Sequence, residues 1–172
     1  MNLSLAIQGV LRGRRVAVLV VLLSTVAVTV FSQSPERTSV AFPEGYREWV
    51  HVKSALVSAR HPDFQRSGGF RHIYANAKAL TGYRTGAFPE GSAIVVDWFE
   101  GQDVDGMFSE GPRRRLDVMV KDASRFAASR GWGFERFTGA ARDRTVTDVA
   151  AQCATCHAGP DARDMVFSKF RE

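Results

Sequence analysis

The chain has 172 residues, of which 45% are hydrophobic and 24% charged, enough apolar chain for one globular domain with its own core. Its formal net charge of +5 suggests a polyanionic partner only at first sight, because residues 1–32 carry Arg12, Arg14 and Arg15 and no acid. The remaining 20 basic and 18 acidic residues nearly balance, which argues against a nucleic-acid-binding surface.

Arg12, Arg14 and Arg15 precede an aliphatic run from Val16 to Phe31, the pattern of a signal peptide over residues 1–32 with the mature chain starting near Gln33. The run is shorter than the roughly 20 apolar residues of a spanning helix, and an uncleaved anchor is the alternative. Both readings place the rest of the chain outside the cytoplasm, in the periplasm. Residues 33–42 have no periodicity and read as a flexible lead-in, so the domain is expected over residues 43–172.

Tyr46, Trp49, Val50, Lys53, Leu56 and Val57 recur at helical spacing and predict an amphipathic helix that ends before His61-Pro62. Residues 70–75, 93–99, 116–121 and 132–137 alternate or are rich in β-branched and aromatic side chains, and each predicts a strand. Thr81-Gly82 reads as a turn between the first two. Thr145 or Thr147 is placed to cap a helix running from about Val146 through His157. The expected class is α+β, a mainly antiparallel sheet packed against helices.

The only two cysteines stand in Cys153-Ala154-Thr155-Cys156-His157. Two thiols one helical turn apart suit addition to the two vinyl groups on one porphyrin edge, and the adjacent imidazole then reaches the iron; this is the attachment pattern of a c-type haem. A disulfide, a redox-active pair and a zinc site are the competing readings. Zinc would want more ligands, but His51, His61 and His72 lie far upstream without paired spacing. On the haem reading Cys153 and Cys156 carry one haem c and His157 holds its iron. Arg113-Arg114-Arg115 is then a solvated turn or a propionate contact.

Only 15 residues follow His157, and Met165, the one methionine among them, is too near to loop over to the opposite haem face. Met107 and Met119 lie upstream, Met119 on an expected strand. Five-coordinate iron with an open side is the expectation, and a plain electron carrier is disfavoured because no sixth ligand is apparent. Among the aromatics, Phe88, Trp98, Phe99, Trp132 and Phe134 are possible pocket walls, and Tyr46 and Trp49 are core.

Several further segments resemble one family in order along the chain. They are Tyr46-Arg47-Glu48-Trp49 with Val52-Lys53-Ser54, His72 to Asn76, Gly86 to Ser92, Val118 to Asp122, Gly131 to Phe137, the Cys153–His157 motif and Val166-Phe167-Ser168. The set is similar to the cytochrome P-460 family, which includes the cytochromes c′-beta. The resemblance implies a β-rich homodimer with haem between sheet and helix, and two activities. Cytochrome P-460 proteins oxidise hydroxylamine and carry a lysine-to-porphyrin tether, whereas cytochromes c′-beta lack the tether and bind nitric oxide or carbon monoxide.

The enzyme branch is the leading expectation: a haem-dependent oxidoreductase that passes electrons from hydroxylamine to a soluble c-type cytochrome. Lys78, just after the Tyr74-Ala75-Asn76 segment, is the tether candidate, with a solvated lysine as the alternative. Hydroxylamine oxidation needs a proton acceptor, and Asp148, nine residues before His157, is the candidate; it could equally cap the helix N-terminus. Glu100, Asp103, Asp105 and Glu110, around the loop expected after the 93–99 strand, are weaker candidates.

Overall fold

The computed structural model describes residues 39–171. The expected signal peptide over residues 1–32 and residues 33–38 of the expected lead-in lie outside the described residues. One antiparallel sheet holds six strands in chain order: β1 (Val50–Val57), β2 (Gly69–Ala75), β3 (Ala93–Val104), β4 (Met107–Lys121), β5 (Trp132–Thr138) and β6 (Asp143–Arg144). Among the described residues three short α-helices accompany it, α1 (Phe64–Ser67), α2 (Ala77–Thr85) and α3 (Thr155–His157), giving the β-rich α+β class that the sequence implies.

The segment expected to be an amphipathic helix is instead a 3-10 turn, Tyr46–Glu48, followed by β1. Val50, Val52 and Val57 favour extended backbone, and β1 pairs with β2 from Val50 to Val57 except at Val52. A bulge between His51 and Lys53 shifts the phase of the strand, which broke the period-two pattern and left a helical spacing by coincidence.

β3 and β4 form a hairpin longer than the expected strands, joined by Asp105 and Gly106, both at positive φ (51° and 84°). That geometry matches the right-handed twist of paired strands, and Asp-Gly adopts it readily. The supposed loop with Glu100, Asp103, Asp105 and Glu110 is therefore a two-stranded arm and its turn. The Arg113-Arg114-Arg115 run is likewise no turn but lies within β4. Arg113 pairs at 2.8 Å with Asp97, which is 1% exposed, and Arg115 pairs at 3.1 Å with Asp117.

Thr81-Gly82, expected as a turn, lies inside α2. A Cβ on Gly82 would stand 2.2 Å from the Phe88 ring, so the glycine serves close packing and not reversal. Asn76 caps α2 by accepting from Ala79 N at 2.9 Å, and Gly86, at φ 85°, ends it.

Both faces of the sheet are covered, so neighbouring residues along β3 to β5 are buried on alternate sides. One face packs Val95, Leu116, Val118 and Phe137 against Val40, Tyr46 and Phe126. Val40 is 1% exposed, so this end of the expected flexible lead-in is part of the core. The other face packs Ile73, Ile94, Met119 and Phe134 under α2 and the C-terminal residues Met165 and Val166. The site lies on this second face.

Candidate functional site

Strand register sets the floor of the site as transverse rows. Ala75, Ile94, Met119 and Phe134 form one row across β2 to β5. The next row is Lys53, Ile73, Val96, Asp117 and Arg136, and beyond it lie Arg71, Trp98 and Arg115. A cavity of about 290 Å³ opens over these rows, roofed by Gln152, Cys153, His157 and Phe167. Its apolar centre and charged rim are what a large, flat, amphiphilic ligand requires.

The roof is a short helical passage. Ala150–Ala154 forms a π-turn that runs on into α3. Asp148 starts it by accepting from Ala151 N at 3.0 Å, while Gln152 Oε1 accepts from the N–H groups of Thr147 and Asp148, both at 2.8 Å. The helix thus begins later than Val146, and its cap is Asp148 and not Thr145 or Thr147.

Helical spacing aligns Cys153, Cys156 and His157. Both cysteines are free thiols, so the disulfide reading does not describe this structure. Cys153 lines the cavity and burial raises its pKa; Cys156 is exposed. Among the described residues no cluster of His, Cys, Asp or Glu is arranged for a metal ion, so the further ligands that zinc would want do not gather around Cys153 and Cys156 there.

The ring of His157 lies between Phe134, at 4.9 Å between centroids, and Phe167, at 5.0 Å. Its Nδ1 is 2.7 Å from the Met165 carbonyl oxygen. A carbonyl only accepts, so Nδ1 carries the proton and Nε2 presents its lone pair. Burial lowers the imidazole pKa, partly opposed by that carbonyl, and so favours the neutral, metal-binding form.

The two carboxylates on the cavity wall are both paired. Asp117 accepts from Arg136 Nε at 2.6 Å and Arg115 Nε at 3.1 Å. Glu135 accepts from Arg144 at 3.0 Å and from the backbone N–H of Arg136 at 2.8 Å. Arg115 also stacks on Trp98, 4.2 Å from the ring centroid. Two buried donors, Arg71 Nε and Trp98 Nε1, find no acceptor in the described chain.

A family model for cytochrome P460 matches residues 43–168. The chain belongs to the cytochrome P460 family. No curated protein matches it. Membership in the cytochrome P460 family makes this a c-type haem protein, and the residues present fit that group. Free thiols and a neutral imidazole share one face, the floor is apolar, and two donors await an acceptor such as a haem carboxylate.

The structure brings Cys153 and His157 to the cavity with Cys156 beside them, and leaves two expected residues outside. Lys78 is exposed on α2, its ammonium lying over Gly91, and does not line the cavity. Asp148 is exposed and its carboxylate serves as the helix cap. Of the aromatic residues, Trp98 and Phe134 line the cavity, whereas Phe88 and Trp132 pack in the core beneath and Phe99 belongs to neither.

Sequence reasoning missed Lys53, Arg71, Asp117 and Arg136. The signal was available in the alternation of β2, β4 and β5, which puts polar residues at one edge of an apolar face. It could not be assigned a side, because the opposite face is buried as well. Met119 does line the cavity, but it is the cross-strand neighbour of Phe134 and so lies beside the imidazole contact.

Proposed function

We propose that this exported, periplasmic protein carries one haem c, bonded through Cys153 and Cys156 with His157 on the iron, and reversibly binds a small gas such as nitric oxide or carbon monoxide. The haem supplies the iron centre that takes the ligand. The chain's own part is to fix the imidazole tautomer, wall off water with Ile73, Ile94, Val96 and Phe134, and hold charge at the rim.

The observation that carries this reading is the state of the carboxylates. Oxidising hydroxylamine requires a group that takes protons from the substrate nitrogen. Asp117 and Glu135 are both engaged by guanidinium groups, so the carboxylate oxygens that a proton acceptor would turn toward a substrate are already occupied. Asp148 caps a helix, and Lys78 lies against Gly91 and is not among the residues that line the cavity.

Hydroxylamine oxidation, with electrons passed to a soluble c-type cytochrome, is the second reading. One observation favours it: Lys53 lines the cavity, so a lysine other than Lys78 is at hand for a porphyrin tether. The reduced absorption spectrum separates the two, together with a hydroxylamine-dependent cytochrome reduction assay. The binding reading expects an ordinary c-type Soret band, uptake of carbon monoxide and no turnover. A strongly red-shifted band with turnover would overturn it, and loss of that shift in Lys53→Met would then name the tether.

The same reading makes the protein a homodimer. Val104, Met107 and Phe108 at the end of the β3–β4 arm are 57%, 65% and 55% exposed, an apolar surface suited to a second copy.

A further inference from the structure

We infer that Asp164 is a positioning residue for the axial imidazole, acting on His157 through the Met165 carbonyl; the inference rests on the haem reading above. It starts from an unusual turn. Arg163 and Val166 exchange backbone hydrogen bonds, N to O at 3.0 Å and 2.9 Å, enclosing Asp164 and Met165 as the two central residues. Both have positive φ, 46° and 68°. Such a turn ordinarily holds Asn-Gly or Asp-Gly. Methionine in left-handed backbone is strained and persists only where the surroundings impose it.

The surroundings here are the Asp164 carboxylate and the Met165 side chain. Oδ1 of Asp164 accepts from Lys121 Nζ at 2.7 Å and from Trp132 Nε1 at 3.2 Å; Oδ2 accepts from Phe88 N at 3.0 Å. One carboxylate therefore ties the turn to the end of β4, the start of β5 and the loop before β3. The Met165 side chain is 3% exposed and anchors the turn from its other residue. Burial would raise the Asp164 pKa, but Lys121, Phe88 N–H and Trp132 bring it below its ordinary 3.8, keeping the group ionised.

The outcome of this clamp is the orientation of one atom. The Met165 carbonyl oxygen faces His157 Nδ1 at 2.7 Å, the one hydrogen bond to that ring nitrogen among the described residues. A fixed acceptor behind a metal-bound imidazole sets the ring's orientation and increases its basicity. A more basic ligand favours the oxidised iron. Releasing the turn should weaken the bond to Nδ1 and shift the balance toward the reduced state.

The test compares haem-loaded wild type with Asp164→Ala, Asp164→Gly and Asp164→Asn, reading the ferrous iron–histidine stretch and the midpoint potential. Asp164→Ala should lower the stretching frequency and favour the reduced state about tenfold, which is about 59 mV for one electron. Asp164→Gly relieves the backbone and should still behave like the alanine variant. Asp164→Asn keeps an amide oxygen for Lys121 and Trp132 and should recover most of the shift. If the Asp164 variants fail to mature, Lys121→Met loosens the same clamp from β4 and should move both readouts in the same direction.

Unchanged frequency and potential in a haem-loaded variant overturn the inference, whatever happens to its melting temperature. A glycine variant that matches wild type overturns it too, because backbone strain alone would then explain the turn. Wild-type protein that matures without haem refutes the underlying haem reading instead.

Discussion

Asp117 Oδ1 and Arg136 Nε face each other at 2.6 Å across β4 and β5, and Arg115 holds the second carboxylate oxygen of Asp117 at 3.1 Å. The pair sits on the cavity wall, where its role is to hold two guanidinium groups in place. Replacing Asp117 by Asn leaves both cations without a counter-ion in a half-buried setting. The cost should be roughly 1–3 kcal/mol, at the lower end because the Asp117 and Arg136 side chains are 25% and 39% exposed. Urea unfolding of the haem-loaded protein measures it. A wild type that oxidises hydroxylamine and an Asp117→Asn variant that does not would show this carboxylate to be a base instead.

Asp148 makes a separable case, because its carboxylate accepts from Ala151 N and faces solvent. Loss of an N-cap costs typically about 1 kcal/mol. Asp148→Ala should lower the unfolding free energy by about that amount, and Asp148→Ser should restore most of it because serine caps equally well. Carbon monoxide affinity is the control. A large fall in ligand affinity or turnover, with stability untouched, would contradict the capping role and return Asp148 to the reaction.

The haem attachment pattern was legible because its chemistry is local: Cys153, Cys156 and His157 lie within five residues, and no tertiary contact is needed to read them. The strands over 93–99, 116–121 and 132–137 were legible for a similar reason, since their side chains alternate or branch at Cβ. β1 was not, because the bulge at His51 to Lys53 interrupts the alternation and tertiary pairing overrides the helical spacing. Asp117 and Arg136 meet only through register between strands, and the tie from Asp164 to Lys121 spans 43 residues. Sequence separation of that size carries no local signal. Asp148 and Lys78 illustrate the converse: nearness in sequence to the motif, or to a strand, does not fix which way a side chain points.

The last prediction concerns the β3–β4 arm. Among the described residues β3 pairs only with β4 beyond Phe99, so Gly101 to Glu110 form a two-stranded ribbon with no third strand in its ladder, tied to β2 by the Glu110–His72 contact at its base. An isolated ribbon is marginal in water, and this one ends in three exposed large apolar side chains, Val104, Met107 and Phe108. A second copy covering them would remove both liabilities. Phe108→Asp places a charge at the centre of that surface and far from the cavity. Light scattering should show a dimer for wild type and a monomer for Phe108→Asp, with the haem spectrum the same in both. A variant that stays dimeric would locate the interface elsewhere, and a monomeric wild type would dispose of the dimer altogether.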